Sequence, residues 1–390
     1  MDIKTELEAL QPSMVAMRRD FHSHPELGFQ EFRTSKILGD HLEKLGFEVE
    51  RGVGVTGVIG RLKGGKPGKT VMIRADIDAL PIFETTGASY ASSNPGVMHA
   101  CGHDGHATIA AHVASVFAKH QAELTGTFQF VFQPAEEIID GAKAMLEAKK
   151  TMMDDIDAVV GLHLWNSEPV GWVGVRAGAV MAAADSFTIT ITGKGGHAAA
   201  PHLAIDPVVV AAHLITAFQT LVSRETNPIA TSVVTIASLK AGEGASNIIP
   251  ETAELRGTLR TFDPEIRARL SSRIKEMSLT LSSAFGATAN VHWIDGPPPV
   301  VNDASLTERF ETLAREINGS VTVADQTMGG EDVAEFLMRK PGVFFFVGSN
   351  DAATGRDKPH HHPGFDFDDE RVLPLAAELL AKAALEFSRI

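Results

Sequence analysis

The sequence has one cysteine, fewer basic than acidic residues, and no long apolar run. A single cysteine cannot form a disulfide within the chain, which fits a reducing compartment. The formal net charge of −14 argues against nucleic acid and anionic membranes as partners, because both prefer a basic surface. No apolar segment approaches the length of a membrane span, and the first residues lack the apolar core of a signal peptide. We therefore expect a cytoplasmic protein.

Chain length and a change in hydrophobic pattern predict two domains. A chain of 390 residues is too long for one ordinary core. In residues 1–182 and 295–390, buried strands alternate with helices, which predicts a catalytic α/β domain with a mostly parallel central sheet covered by helices on both faces. Residues 183–294 follow the order βαββαβ, and their first strand alternates with period two. They predict an inserted ferredoxin-like domain.

Several predicted boundaries bear on a possible site. Residues 18–29 are predicted as a loop, because a proline and a glycine interrupt them. Residues 98–106 are predicted as a second, tight loop because they contain Gly102 and Gly105, and residues 107–119 are predicted as a buried helix. The strand predicted for residues 158–162 ends just before His163.

The predicted loop of residues 98–106 holds the densest group of possible metal ligands. It contains the only cysteine together with three histidines and an aspartate: Cys101, His99, His103, His106 and Asp104. Soft and borderline ligands at this density suggest a transition metal. The alternative is a polar loop in which the histidines cluster by chance.

Other possible ligands and acids follow predicted strands or lie near the C-terminus. They are Asp76 and Asp78, Glu136 and Glu137, His163, and the triplet His360, His361 and His362. Sites in open α/β sheets form beyond the carboxyl ends of the strands, so a shared metal site would draw on such positions. Taken singly, each group has a plainer explanation: a hydrogen-bonded core histidine, a solvated acidic loop, or an exposed triplet. Their joint occurrence favours the shared site.

With these residues taken together, the chain resembles the aminoacylase–carboxypeptidase group of dinuclear metallohydrolases. Within that group it is most similar to the branch of hippurate hydrolase and the indole-acetyl amino acid amidohydrolases. The resemblance covers essentially the whole chain. The matching segments are RDFHSHPELG (19–28), RADIDALP (74–81), MHACGHDGH (98–106), QPAEE (133–137), GLH (161–163), GGHA (195–198) and NIIP (247–250).

The resemblance implies two divalent metal ions, which could be manganese, zinc, nickel or cobalt. The implied ligands are Cys101, His103, Glu137, His163 and His361. His361 is chosen because the family pattern is His-any-Pro, although relatives usually have an apolar residue at the position of His360, so a shift by one is the alternative. Asp78 is expected to orient a ligand. Asp76 stands where other branches have a metal histidine, a role that His103 is expected to take here.

The resemblance also assigns roles in the inserted domain. His197 is expected to help hold the oxyanion, and Asn247 and Arg260 to bind the α-carboxylate of the substrate, for which the planar guanidinium is well suited. Gly330 is expected to line the pocket through its backbone. The alternatives are a structural loop for His197 and a surface charge for Arg260. Relatives pair through this domain. The resemblance therefore implies that residues 183–294 serve as a lid and for dimerisation, and that the protein is a homodimer or a higher homo-oligomer.

The chemistry of this set is consistent with hydrolysis of an amide bond. A thiolate can bridge two metals, which lower the pKa of a shared water, and Glu136 can act as the general base. We therefore expect hydrolysis of N-acyl-L-amino acids, such as hippurate-like, N-acetyl or aryl-acyl conjugates. One alternative is an amidase that uses Cys101 as nucleophile without metal. Another is a non-catalytic binding protein, against which the presence of Glu136 argues.

Overall fold

The computed structural model describes residues 1–389, which divide into two compact units. The first unit consists of Met1–Val180, Val300–Asp325 and the chain from Asp332 onward. The second unit consists of Met181–Pro299 together with Gln326–Glu331, a short segment that no pattern in the sequence marks as part of it.

Helices and strands follow one another along most of the chain. The helices are α1 (Ile3–Ser23), α2 (Phe32–Lys44), α3 (His103–Lys119), α4 (Gly141–Ala148), α5 (Pro207–Ser223), α6 (Pro264–Ala284), α7 (Ala304–Asn318), α8 (Ala334–Leu337) and α9 (Asp369–Phe387). The strands are β1 (Glu48–Val53), β2 (Gly57–Lys63), β3 (Lys66–Asp76), β4 (Thr125–Gln133), β5 (Ala158–Pro169), β6 (Val173–Val175), β7 (Gly178–Met181), β8 (Ala183–Thr192), β9 (Gly196–His197), β10 (Ser232–Ala241), β11 (Ile248–Ile249), β12 (Thr252–Thr261), β13 (Thr288–Ile294), β14 (Val300–Asn302), β15 (Thr322–Val323) and β16 (Gly342–Asn350). Within the described residues, no helix combines the length and apolar character needed to cross a lipid bilayer.

The first unit is built on an eight-stranded sheet with the order β1-β2-β4-β3-β5-β16-β6-β15. Its central strands β4, β3, β5 and β16 run parallel, whereas β1, β2 and the β16–β6 pair are antiparallel. Every residue of β3 from Thr70 to Asp76 is buried, and so is every residue of β16 from Gly342 to Ser349. Both faces of the sheet are therefore covered. This confirms the predicted α/β class.

Helix α3 is the element of the first unit that matters most for the site. It packs against β3, and α1 and α9 pack against it in turn. Because its residues from His103 to Ala114 are all buried, α3 is enclosed on all sides rather than amphipathic. Its first turn can therefore present side chains only into the protein interior.

The second unit is a four-stranded antiparallel sheet with the order β10-β12-β8-β13, and α5 and α6 pack on it. In β8, Phe187, Ile189 and Ile191 are buried while the intervening side chains are more exposed. This is the period-two pattern of a sheet with one covered face. Phe218 of α5 and Ile274 of α6 belong to the same apolar core. The element order is the predicted βαββαβ, with the short β9 and β11 between its members.

Three predicted boundaries were wrong, and each error lies next to the site. Helix α1 continues to Ser23 instead of giving way to a loop at residue 18, and it ends where Pro25 disfavours helical backbone in the residue before it. Helix α3 begins at His103, not at residue 107, because Gly102 takes the left-handed conformation and Gly105 does not. Strand β5 runs to Pro169, so His163 lies within it.

Candidate metal centre

The predicted ligands meet at the edge of the large sheet where β3 and β4 end. Asp76 and Gln133, the last residues of these two strands, are paired partners. Strand β5 pairs with β3 only as far as Gly161 and then continues beside β16 alone. Continuing this register puts His163 level with Asp76, the last residue of β3. The chain topology thus places residues from three strands at one edge, as the sequence pattern predicted.

The five predicted metal ligands form two groups that share one sulfur atom. The ligand atoms of Cys101, His103 and His163 all lie within 4.8 Å of one another, and so do those of Cys101, Glu137 and His361. Cys101 Sγ is 3.5 Å from His163 Nε2. Glu137 Oε2 is 3.3 Å from His361 Nε2. Such an arrangement suits two cations with a common thiolate ligand.

Hydrogen bonds to the far sides of the histidine rings leave one nitrogen of each directed into this group. His103 Nδ1 lies 3.0 Å from the carbonyl oxygen of Asp78 and 3.2 Å from its carboxylate, and donates to them. His163 Nδ1 donates to the Leu164 carbonyl at 2.6 Å. In the neutral rings the remaining Nε2 atoms carry no proton and can bind a cation. Metal-bound histidines commonly show this arrangement, because the second nitrogen fixes the tautomer and the ring orientation.

The histidine triplet presents one ring to the group. The amide of His361 donates to the Ala100 carbonyl at 2.8 Å, which ties this residue to the neighbour of Cys101. Its φ of 64° is in the left-handed region, where a non-glycine residue is strained and often functional. His360 Nε2 instead lies 2.9 Å from the Leu164 carbonyl, and the exposed His362 accepts from the Gly364 amide. The geometry thus favours His361 over its two neighbours.

The electrostatics of the group fit a cation. Burial, together with the Glu137 carboxylate, raises the pKa of the Cys101 thiol well above its usual value. Burial raises the pKa of Glu137 to about 7 and lowers that of His163 well below its usual value. Within residues 1–389, His103 Nε2 and Glu137 Oε1 are buried without a hydrogen-bond partner. Buried polar atoms are rarely left in this state, and a divalent cation would pair them.

Glu136 lies beside these atoms on the turn that follows β4. It is 7% exposed, and its Oε2 is 3.8 Å from His103 Nε2. The turn is strained at Ala135, whose φ is 54°. The Glu31 carboxylate accepts a hydrogen bond from the Ala135 amide at 2.8 Å. Burial raises the pKa of Glu31 to about 7. Sequence reasoning missed Glu31, although it lies only three residues after the matching segment 19–28.

A second buried network, also missed, anchors the start of α3. Asp104, the residue after His103, accepts from His22 Nδ1 at 2.7 Å and pairs with Arg18 Nε at 3.0 Å. The Arg18 guanidinium is fully buried and also pairs with Asp366 and Asp369. The sequence analysis missed this network because it predicted residues 18–29 as a loop. Only a helical α1 directs Arg18 and His22 inward from successive turns.

The three site residues predicted for the inserted domain belong to the second unit, and so does Gly330, which lies in residues predicted as part of the catalytic domain. His197 on β9 pairs with Ile248 on β11, and the Ala198 amide donates to the Asn247 carbonyl at 3.0 Å, so His197 and Asn247 are neighbours. Arg260 lies on β12 of the four-stranded sheet, where burial lowers its pKa and its Nε donates to Thr258. Gly330 lies in the segment Gln326–Glu331.

Comparison with known proteins gives matches over the whole length of the chain. The family described as peptidase family M20/M25/M40 matches residues 72–386. An N-acetyl-L-cysteine deacetylase of Bacillus subtilis is 39% identical over 94% of this chain and 86% of its own. An IAA-amino acid hydrolase of Arabidopsis thaliana is 38% identical over 96% of this chain and 85% of its own. The crystal structure of a Bacillus subtilis dinuclear metal-binding peptidase of family M20 superposes with a TM-score of 0.83 at 37% identity, covering 97% of this chain and 99% of that one.

Proposed function

Because this chain belongs to peptidase family M20/M25/M40, and is therefore a hydrolase, we propose that it hydrolyses the amide bond of N-acyl-L-amino acids with two divalent metal ions. The proposal makes it an aminoacylase-type amidohydrolase, in which the acyl group is acetyl, aryl-acyl or a related conjugate. The relatives named for N-acetylcysteine and for indole-acetyl amino acids act on bonds of this kind, which supports the substrate class.

One observation carries the proposal: two groups of three potential ligands share the Cys101 sulfur. In one group Cys101 is joined by His103 and His163, and in the other by Glu137 and His361. The thiolate and the imidazoles are donors that suit zinc, nickel or cobalt, and the Glu137 carboxylate adds an oxygen donor of the kind that manganese favours. We propose that Cys101, His103 and His163 would hold one ion and that Cys101, Glu137 and His361 would hold the other. When bound, the two ions supply Lewis acidity that lowers the pKa of water and polarises the substrate carbonyl.

In this proposal Glu136 moves the proton. Its carboxylate is buried next to the ligand Glu137, so it can take a proton from the attacking water and deliver it to the leaving nitrogen of the amide. Asp78 keeps two ligands in place, because it accepts hydrogen bonds from the His103 ring and from the Glu137 amide. The Glu31 carboxylate holds the Ala135 amide and thereby the turn on which Glu136 lies.

The second unit is proposed to bind and orient the substrate. The neighbouring His197 and Asn247 offer hydrogen-bonding groups for the developing oxyanion and for the α-carboxylate. Arg260 offers a forked pair of donors for the same carboxylate, and Gly330 would line the pocket with its backbone. We also propose that the chain forms a homodimer through this unit, which light scattering of the purified protein would test.

The test of the proposed function is a substrate screen on protein that has been stripped of metal and then reloaded. N-acetyl, N-benzoyl and indole-acetyl amino acids are offered with manganese, zinc, nickel and cobalt in turn. We expect hydrolysis of at least one class, its loss after exhaustive chelation, and its recovery on adding metal. Full activity in the chelated protein would refute the metal-dependent mechanism.

The cysteine-nucleophile alternative gives the opposite response to the same treatments. A thiol nucleophile needs a lowered pKa, whereas burial and the Glu137 carboxylate raise that of Cys101. We therefore expect Cys101→Ser to lose metal along with activity. We also expect a thiol-alkylating reagent to react slowly with the metal-loaded protein and faster with the stripped protein. Rapid alkylation that abolishes turnover but leaves both ions bound would support the nucleophile.

A further inference from the structure

Side chains form hydrogen bonds with the backbone of Leu164 on the side where a neighbouring strand would otherwise pair with it. Strand β3 pairs with β5 only up to Gly161, and on the other side Leu164 lies opposite Val347 of β16. Its amide and carbonyl are buried beyond the end of β3 and need other partners. Three histidine rings provide them: His106, His163 and His360.

His106 binds the amide. The Leu164 N–H donates to His106 Nε2 at 2.9 Å, so this nitrogen carries no proton. The proton is then on Nδ1, which donates to Asp76 Oδ1 at 2.6 Å. The other oxygen of Asp76 accepts from Arg74 at 2.7 Å. The polar atoms of Asp76 and His106 are thus hydrogen-bonded to each other, to Arg74 and to Leu164. The two residues also lie close enough to His103 to form a possible metal-binding group with it.

The carbonyl of Leu164 accepts from two rings. His163 Nδ1 donates to it at 2.6 Å and His360 Nε2 at 2.9 Å. The Asn166 amide also approaches His360 Nε2, at 3.4 Å, but this longer contact would need the opposite role of the nitrogen and is the weaker of the two. The ring of His360 also lies edge-on to that of His163, with centroids 5.2 Å apart.

We propose that the backbone of Leu164 sets the orientation of the His163 ring, and that His106 and His360 are positioning residues that hold this backbone from its two sides. The inference rests on the proposed function, since it concerns how a metal ligand is kept in place. Rotation of the Leu164 carbonyl would turn the His163 ring with it and move Nε2 away from the Cys101 sulfur. Groups that orient metal-bound histidines in this way typically change metal affinity about 10- to 100-fold when removed.

A simple structural role for the two histidines makes a different prediction. If they only satisfied the buried backbone of β5, their loss would lower the melting temperature and leave metal binding unchanged. His112 provides the matched control. It is a buried histidine of the same helix, α3, with its ring nitrogens bonded to Ser13 and to the Thr108 carbonyl, away from the ligands.

The experiment compares His106→Leu, His106→Gln, His360→Leu and His112→Leu in the full-length protein. Melting temperature, calorimetric titration of the stripped protein with Mn²⁺, and the visible spectrum of the Co²⁺-loaded protein are measured for each. For His106→Leu and His360→Leu we expect one of the two ions to bind about 10- to 100-fold more weakly, with an altered cobalt spectrum. His106→Gln is expected to recover much of this, because an amide can accept from Leu164 and donate to Asp76.

His112→Leu is expected to melt earlier but to bind both ions as the wild type does. If His106→Leu does not fold, His360→Leu decides, because its ring is only partly buried. Folded leucine variants that bind both ions with wild-type affinity, in a wild-type protein that binds two, would overturn this inference alone. A wild-type protein that binds no ion would overturn the proposed function together with it.

Discussion

The carboxylate of Asp78 joins two segments of the site, since its Oδ2 accepts the Glu137 amide at 2.9 Å while its Oδ1 lies 3.2 Å from His103 Nδ1. Glu137 comes from the turn after β4 and His103 from the first turn of α3. One side chain therefore sets the spacing between two proposed ligands that are distant in sequence. It also adds negative charge behind the His103 ring, which makes the opposite nitrogen a better ligand.

Replacing Asp78 is expected to weaken metal binding more than folding. For Asp78→Ala we expect divalent-ion affinity to fall about 10- to 100-fold, because the Glu137 amide loses its acceptor and the His103 ring keeps only the Asp78 backbone carbonyl. Asp78→Asn should be intermediate, since its amide oxygen can accept only one of the two hydrogen bonds. Calorimetric titration with Mn²⁺ measures the effect. Wild-type affinity in Asp78→Ala would show that neither ligand depends on this carboxylate.

Replacing Glu136 is expected to separate turnover from metal binding. Glu136→Gln keeps the shape of the side chain but removes the base, so we expect kcat to fall by about 10²- to 10⁴-fold with two ions still bound. The matched control is Glu147→Gln, on the exposed side of α4, which should leave both quantities unchanged. An unchanged kcat in Glu136→Gln would assign the proton transfer to another group.

The histidine triplet gives a test of sequence register. His361 lies beside Glu137, whereas the adjacent His362 is exposed and accepts from the Gly364 amide. We expect His361→Ala to lose the affinity of one ion and His362→Ala to keep both. Metal content after dialysis, measured by atomic emission, distinguishes them. The reverse result would mean that the ligand is displaced by one position.

Arg260 is expected to recognise the α-carboxylate of the substrate. In the wild type, replacing an N-acyl amino acid by its carboxamide should lower kcat/KM strongly. In Arg260→Ala both substrates should be poor, and the difference between them should shrink, since the group that discriminates has gone. Arg256→Ala is the control on the same strand, because Arg256 is exposed and paired with Glu254. Equal discrimination in wild type and Arg260→Ala would remove Arg260 from the binding site.

The buried Arg18 network is expected to contribute to stability. Arg18→Met leaves Asp104, Asp366 and Asp369 without their shared cation, and loss of one partner from a buried ion pair typically costs about 3–5 kcal/mol. Lys36→Ala breaks an exposed pair with Asp40 and should have little effect on the urea midpoint. Similar midpoints for both variants would contradict this contribution.

The same network gives the sign of an acid effect. Burial alone would raise the pKa of Asp366, but the Arg18 charge and the hydrogen bond from Tyr90 lower it below its usual value. A carboxyl with a lowered pKa in the folded state stabilises the protein above its unfolded-state pKa and loses this contribution as the pH falls. When the pH is lowered from roughly 6 to 3, the free energy of unfolding of Arg18→Met should therefore fall by less than that of the wild type.

The sequence predicted the metal group better than its surroundings. The resemblance implied ligand roles for Cys101, Glu137 and His163. From the residues alone, Glu137 and His163 could be singled out because sites form where parallel strands end, and Cys101 because residues 98–106 hold many possible ligands. The partners that orient them, such as Leu164 and Glu31, could not. Their roles depend on β5 extending beyond the end of β3 and on the strained turn at Ala135. Both features result from tertiary packing and not from the local sequence pattern.

The boundary errors have a similar cause. Gly105 looked like a second loop glycine, but only Gly102 has the left-handed backbone that precedes the helix. Pro25 lies just past the end of α1, but residue patterns could not show that the helix would continue through a buried arginine as far as Ser23. A buried charge contradicts the usual amphipathic pattern, and only the three carboxylates that surround Arg18 in the fold make it acceptable.

The most direct test of the central claim is an anomalous difference map from crystals of the full-length protein soaked in Mn²⁺, with data collected above and below the manganese edge. The account predicts two peaks, one among Cys101, His103 and His163 and the other among Cys101, Glu137 and His361, with the sulfur common to both. A single peak away from Cys101, or no peak in crystals of protein that hydrolyses its substrate, would contradict it.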